Sequence, residues 1–198
     1  PNMLQKMNER FLLISTRKKM KLVKALSLFT QFIRKCFFLQ NSDLQVRRKG
    51  INWSLDLDEA IDFNIYLTGR YEAELFDKMA QEIKKDDVIL DIGANIGAHT
   101  LPLAEMVGDE GKVYAIEPTD YAFKKLTQNI YLNEKIKKKV ITVRSFLSDG
   151  ATEAPKKVSS SWSISGTMNS SDRNQLDLGI AQSITDATTM TLDELVSS

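Results

Sequence analysis

Cysteine and histidine are nearly absent from these 198 residues: Cys36 and His99 are the sole examples of their kinds. One cysteine excludes an internal disulfide framework, and together the two residues cannot supply the four ligands of a tetrahedral zinc site. No metal is expected, and the composition suits the reducing cytoplasm. Long apolar runs are missing too. The stretch 11–39 is rich in Leu and Phe, but Arg17, Lys18, Lys19, Lys21, Lys24, Arg34 and Lys35 interrupt it. Nothing there approaches the roughly 20 apolar residues that span a bilayer. The basic start, clean apolar middle and small-residue cleavage site of a secretory signal do not appear in order. Nor does the run G-x-x-x-x-G-K-[ST] occur, which excludes a phosphate-binding loop of that type.

What is present is a globular composition, 42% hydrophobic and 27% charged, so a buried core is expected. The net charge of +1 hides an asymmetry: residues 1–49 hold 12 of the 27 basic side chains and 2 of the 26 acidic ones. A basic arm of this kind is attracted to acidic membrane surfaces, to nucleic acid or to the chain's own acidic face. Leu22, Leu26, Phe29, Ile33 and Cys36 recur at spacings of four and three, which predicts a helix with one apolar side. Leu28 and Phe32 fall off that side, favouring a helix docked on protein over one lying on a membrane. Residues 1–50 are therefore expected as a basic helical arm and linker, with 11–40 available for peripheral membrane contact and 41–50 as the linker.

The segment INWSLDL, residues 51–57, alternates apolar and polar residues and predicts a strand in a short antiparallel element, after which the pattern becomes helical. Residues 71–84 are rich in helix formers. Three strands alternating with two helices follow: DVILDIG, HTLPLAEMV, KVYAIEP, YAFKKLTQNIYLN and KVITVRSFLSD, punctuated by Gly108, Gly111 and Pro118. This order predicts βαβ units and a doubly wound, mostly parallel α/β sheet. Asn133 tolerates the left-handed conformation and suits the end of the second helix. Residues 151–187 are Ser- and Thr-rich without period and read as a polar insertion, a long loop or irregular hairpin. TTMTLDEL, residues 188–195, reads as a strand entering a helical turn.

The chemistry concentrates in VILDIGANIGAHT, residues 88–100. A dinucleotide turn wants G-x-G-x-x-G, whose second glycine lets the backbone approach a pyrophosphate. Two residues after Gly93 stands Asn95 instead, in D-x-G-x-N-x-G built from Asp91, Gly93, Asn95 and Gly97. An acidic strand end would repel a pyrophosphate but helps hold the cationic and amine groups of S-adenosylmethionine. Glycine at 93 and 97 lets a ligand lie on bare backbone and lets the helix start close to the strand. At the end of the next strand, Glu117 offers a carboxylate for two ribose hydroxyls. Dinucleotide enzymes share that last device, so only its combination with Asp91 and Asn95 discriminates.

Residues 51–198 resemble the FkbM-type family of S-adenosylmethionine-dependent methyltransferases. The resemblance is carried by WSLDLDEAIDFNIYLTGRYE, DIGANIGAHT, AIEPTD, NIYLN, FLSD and TMTLDEL in that order. It implies a Rossmann-like class I methyltransferase fold with S-adenosylmethionine as cofactor. It also implies O-methylation of a sugar, glycan or small-metabolite hydroxyl, with no nucleic acid partner. By the same resemblance Asp91, Gly93, Ala94, Asn95 and Gly97 form the cofactor loop. Glu117 and Pro118 lie at the ribose and adenine, Ser148 and Asp149 face the adenine amino group, and Tyr71 and Glu72 close over the methionine end. The cofactor half-site is expected within 86–150. Members of that family continue beyond TMTLDEL, so the sheet is expected to be incomplete at the C-terminus, with one edge uncovered and the acceptor pocket largely absent. His99 could serve as a general base but more readily faces neighbouring structure. The rivals are a nicotinamide-dependent oxidoreductase and a non-catalytic module recruited to a membrane or partner by its basic arm.

Overall fold

The computed structural model describes residues 43–151, 154–161, 180–184 and 186–197. The expected arm helix and the 11–40 membrane contact lie outside these residues.

The described chain opens with β1 (Asp43–Arg48) and β2 (Ile51–Asp56), an antiparallel hairpin closed by Lys49 and Gly50, both at positive φ. The stretch expected as a linker therefore contains a strand. Its residues alternate between exposed and half-buried, the period of a one-sided strand. Strand β2 is the buried partner, and Ile51, Trp53 and Leu55 are each at most 2% exposed. Complete burial of such side chains is worth about 1.5–3 kcal/mol each.

Helix α1 (Ala60–Thr68) follows and stops at Gly69, whose φ of +82° lets its N–H reach Ile65 O at 2.8 Å. Helix α2 (Ala73–Glu82) leads into β3 (Val88–Ile92). Then come α3 (Thr100–Met106), β4 (Lys112–Ile116), α4 (Asp120–Tyr131), the single turn α5 (Glu134–Lys137) and β5 (Val140–Val143). Strands β3, β4 and β5 form a parallel sheet in that order. The expected α/β class with a parallel sheet is what the chain adopts. In β3 the alternate residues Val88, Leu90 and Ile92 stay exposed on a common face. The central strand β4 buries Val113, Ala115 and Ile116.

The predicted strand KVITVRSFLSD is two strands. Arg144 interrupts it, and β6 (Ser145–Leu147) leaves the main sheet to pair in parallel with β9 (Thr188–Met190). Between them β7 (Lys157–Ser161) and β8 (Ile180–Ser183) pair antiparallel with a register shift between Ser159 and Ser161. The irregular hairpin read from the polar insertion is thus present. The last helix, α6 (Leu192–Ser197), starts at a reciprocal cap: Thr191 Oγ1 accepts the Glu194 N–H, and Glu194 Oε2 accepts the Thr191 N–H at 2.7 Å.

The N-terminal hairpin is fastened to the core by α4. Asn129 and Asn133 lie one turn apart on that helix and its continuation. Asn129 Oδ1 accepts the Ser54 N–H at 2.7 Å, while Asn133 accepts the Asn52 N–H and donates to Asn52 O. The two amides do for the edge of β2 what a neighbouring strand would do. Asn133 was expected to end α4 by a left-handed backbone; its φ is −132°. Its role comes from the side chain, which bonds a strand 81 positions earlier.

Candidate functional site

The glycine turn is built where β3 ends. Gly93 and Ala94 both donate their N–H groups to Ile116 O, at 2.9 and 3.0 Å, which ties the turn to the last residue of β4. Gly93 has φ +80°, and a Cβ there would meet nothing within 4 Å. Bare backbone therefore faces open space, as a ligand lying along the turn requires. Gly97 serves a different purpose. At φ +91° a Cβ would run into Leu101 and come within 3.0 Å of Leu126 Cδ1, so this glycine permits close packing of turn and helix. Ala94 is buried, and Asn95 sits at φ +51°, a conformation its short amide side chain supports by accepting the Ile96 N–H at 2.8 Å.

Asp91 points back at the start of α3, where Thr100 Oγ1 donates to its carboxylate at 2.5 Å. Burial pushes this carboxyl up from its ordinary value, against the pull of the Thr100 hydroxyl and of His99. Near it stand Tyr71, whose ring centroid lies 5.8 Å from that of His99, and Glu72, whose carboxylate oxygen lies 3.8 Å from His99 Nε2. Glu72 has φ +45°. The structure thus brings Asp91, Tyr71 and Glu72 around His99, at the N-terminus of α3.

Glu117 is 3% exposed and spoken for on both oxygens. Its Oε2 accepts the Asn95 N–H at 3.0 Å, and its Oε1 accepts the Thr119 N–H at 2.9 Å and the Thr119 hydroxyl at 2.6 Å. Pro118, between them, is half-buried. Thr119 in turn meets the Ser160 hydroxyl of β7 at 2.7 Å, and Asn95 Nδ2 donates to Ser160 O at 2.5 Å. Ser148 and Asp149 follow β6: the Ser148 N–H donates to Met190 O, and Asp149 caps the Ala151 N–H. Ser148 lines a cleft of about 530 Å³ with Pro155, Ile184, Met190 and Thr191.

Sequence reasoning missed Thr119, Asn129 and Ser160. Thr119 is the N-cap residue of α4, yet its hydroxyl turns to Glu117 rather than to the helix. Asn129 joins β2 to the turn, since its amide also donates to Ile96 O at 3.0 Å. The motif NIYLN contained that signal; nothing local flagged Ser160.

A parallel βαβαβ sheet with a D-x-G-x-N-x-G turn fastened to a carboxylate at the end of the second strand defines a Rossmann-like class I methyltransferase fold. The chain belongs to the TRM5/TYW2 methyltransferase domain family, which matches residues 45–158. A tRNA(Phe) (4-demethylwyosine(37)-C(7)) aminocarboxypropyltransferase of Pyrococcus horikoshii is 44% identical over 57 residues, 29% of this chain and 20% of that protein. The chain thus spans about a fifth of the length of this curated relative. Among solved structures, M. jannaschii TYW2 in complex with AdoMet is 26% identical with a TM-score of 0.39, covering 52% of this chain and 43% of its own. The aTrm5 complex with tRNALeu is 18% identical with a TM-score of 0.41, covering 53% and 28%.

These findings correct two expectations. The family is TRM5/TYW2 and not FkbM-type. The motifs behind the first resemblance cluster on the cofactor turn and the elements around it, and residues that grip a cofactor carry little information about the acceptor. The expectation of a glycan or small-metabolite acceptor without nucleic acid falls with it, because the curated relative is a tRNA-modifying enzyme by name. The assignment to a class I methyltransferase fold family stands, and S-adenosylmethionine as cofactor agrees with it.

Proposed function

We propose that this chain carries the cofactor-binding part of an S-adenosylmethionine-dependent transferase that modifies tRNA. The observation that carries the cofactor reading is the bond from the Asn95 N–H to Glu117, which fixes a carboxylate beside an open glycine turn. The tRNA acceptor is supported by the 44% identity to a tRNA(Phe)-modifying enzyme. When bound, S-adenosylmethionine supplies a sulfonium whose attached carbons are open to nucleophilic attack.

The protein's own contribution is to hold and orient. Gly93 gives the ligand room along the backbone, and the Asp91 carboxylate attracts an ammonium group. Glu117 accepts ribose hydroxyls, and a charge-assisted pair of this kind is roughly twice as strong as a neutral one. Tyr71 and Glu72 enclose the end of the site near His99. Whether a methyl or an aminocarboxypropyl group moves depends on which carbon faces the acceptor, since rate in such transfers follows orientation.

The test is calorimetric titration with S-adenosylhomocysteine and, separately, NAD, alongside retention of a tRNA(Phe) transcript at low and moderate salt. Binding of S-adenosylhomocysteine alone, lost in Glu117→Ala, with salt-sensitive tRNA retention is the expected result. A folded chain that retains no tRNA would remove the acceptor assignment. If it binds NAD instead, the cofactor reading fails.

A further inference from the structure

Glu117 is the group a ribose diol has to reach, and it has a single acceptor position left. A carboxylate oxygen accepts two hydrogen bonds. Both positions on Oε1 are filled, by the Thr119 N–H and the Thr119 hydroxyl, and one on Oε2 is filled by the Asn95 N–H. A diol donates twice, so the Thr119 hydroxyl must turn away before the second bond can form.

Ser160 is what keeps it from turning. The Thr119 hydroxyl has one proton and spends it on Glu117, which can only accept. In the 2.7 Å contact between the two hydroxyls the proton therefore comes from Ser160. The result is a directed chain from Ser160 through Thr119 to Glu117. Ser160 also receives the Asn95 side-chain N–H on its carbonyl. Both contacts are available because the register shift at Ser160 takes it out of the β7–β8 ladder. Ser160 is 6% exposed and Thr119 is fully buried, so the hairpin lies over this end of the site.

We propose that the β7–β8 hairpin is a displaceable cover on the ribose end of the cofactor site, so that hairpin and cofactor compete for Glu117. The proposal rests on the cofactor reading above. The hairpin is suited to leaving: β7 and β8 pair only with each other among the described residues, and a lone two-stranded hairpin is marginal. Its two bonds to Thr119 and Asn95, at ordinary strength, lower the apparent affinity by about ten- to a hundredfold.

The test compares S-adenosylhomocysteine binding by calorimetry in the full chain, in Ser160→Ala and in Ser160→Asp, with Glu117→Ala in each background. Ser160→Ala removes the hydroxyl link, and Ser160→Asp sets a carboxylate against Glu117. Tightening of about threefold and tenfold respectively is expected, abolished by Glu117→Ala. Amide exchange over 157–161 and 180–183 should accelerate when S-adenosylhomocysteine binds the unsubstituted chain. Equal affinities with unchanged hairpin exchange would overturn the cover while leaving the cofactor site intact. Slower hairpin exchange on binding would also overturn it, since the hairpin would then close over the ligand. No binding in any folded variant overturns both readings.

Discussion

The Lys125 ammonium of α4 donates to the Asp62 carboxylate of α1 inside the protein, where the two residues are 9% and 1% exposed. The same carboxylate oxygen accepts the Asp56 N–H at the end of β2, at 2.6 Å. One acidic group thus locks strand, helix and core helix together. Burial pushes the Asp62 carboxyl up from its ordinary range, with Lys125 opposing.

Removing one partner of this pair strands the other. Lys125→Met is expected to cost about 3–5 kcal/mol at neutral pH. With the lysine gone, the folded carboxyl rises further above its unfolded value. Its contribution is then complete below the ordinary value of 3.8 and lost as pH rises through the folded one. The deficit should therefore shrink on acidification. The double variant Asp62→Asn with Lys125→Met keeps an acceptor for the Asp56 N–H and should recover most of the loss. Urea denaturation at two pH values checks both; a double variant no better than the single one would show that the charge pair is not the cause.

Asn129 bridges the N-terminal hairpin and the cofactor turn, since it accepts from Ser54 and donates to Ile96 O. Asn129→Ala leaves two buried groups unpaired, at about 1–3 kcal/mol for each. Asn129→Asp keeps the acceptor but faces Ile96 O without a donor. Both should weaken S-adenosylhomocysteine binding as well as stability, because Ile96 lies within the turn. Calorimetry beside denaturation separates the effects, and loss of stability with full affinity would detach the hairpin from the site.

The two loop glycines should respond differently to the same change. Gly97→Ala meets Leu101 and Leu126 at positive φ, adding about 1–3 kcal/mol of overpacking to about 1–2 kcal/mol of backbone strain. Gly93→Ala carries only the strain, since its Cβ points into open space. Its methyl would occupy the path proposed for the ligand. Gly97→Ala is therefore expected to unfold at lower urea, and Gly93→Ala to lose more affinity than stability. Equal affinity for Gly93→Ala and the unsubstituted chain would place the ligand elsewhere.

The parallel core was legible because β3, α3, β4 and α4 each carry their own period, which neighbours in sequence determine. What escaped was set by distant partners. Strand β6 leaves the line of β5 because Thr188 to Met190 wait more than 40 positions further on. Residues 43–48 passed for a linker because their pairing partner, β2, is what makes them a strand. The carboxylate and glycines of the candidate site were readable from spacing alone. The link from Ser160 through Thr119 to Glu117 joins residues 43 positions apart and has no local trace.

Asp91 sets stability against function. Its folded carboxyl is raised above the ordinary value of 3.8, burial being the largest cause. A raised acid contributes stability in full below its unfolded value and loses it as pH rises through the folded one. Toward neutral pH the buried Asp91 is therefore a cost to the fold. Asp91→Asn removes that cost and keeps an acceptor for the Thr100 hydroxyl, which now donates to Asp91. The variant should match or exceed the unsubstituted chain in urea midpoint at pH 7, and the difference should close as pH falls toward 4. The carboxylate lost is the one proposed to attract the ligand's ammonium, so affinity for S-adenosylhomocysteine should fall at least tenfold, about 1.4 kcal/mol. A variant less stable at pH 7 would mean that the carboxylate supports the fold, and retained affinity would remove Asp91 from the binding set.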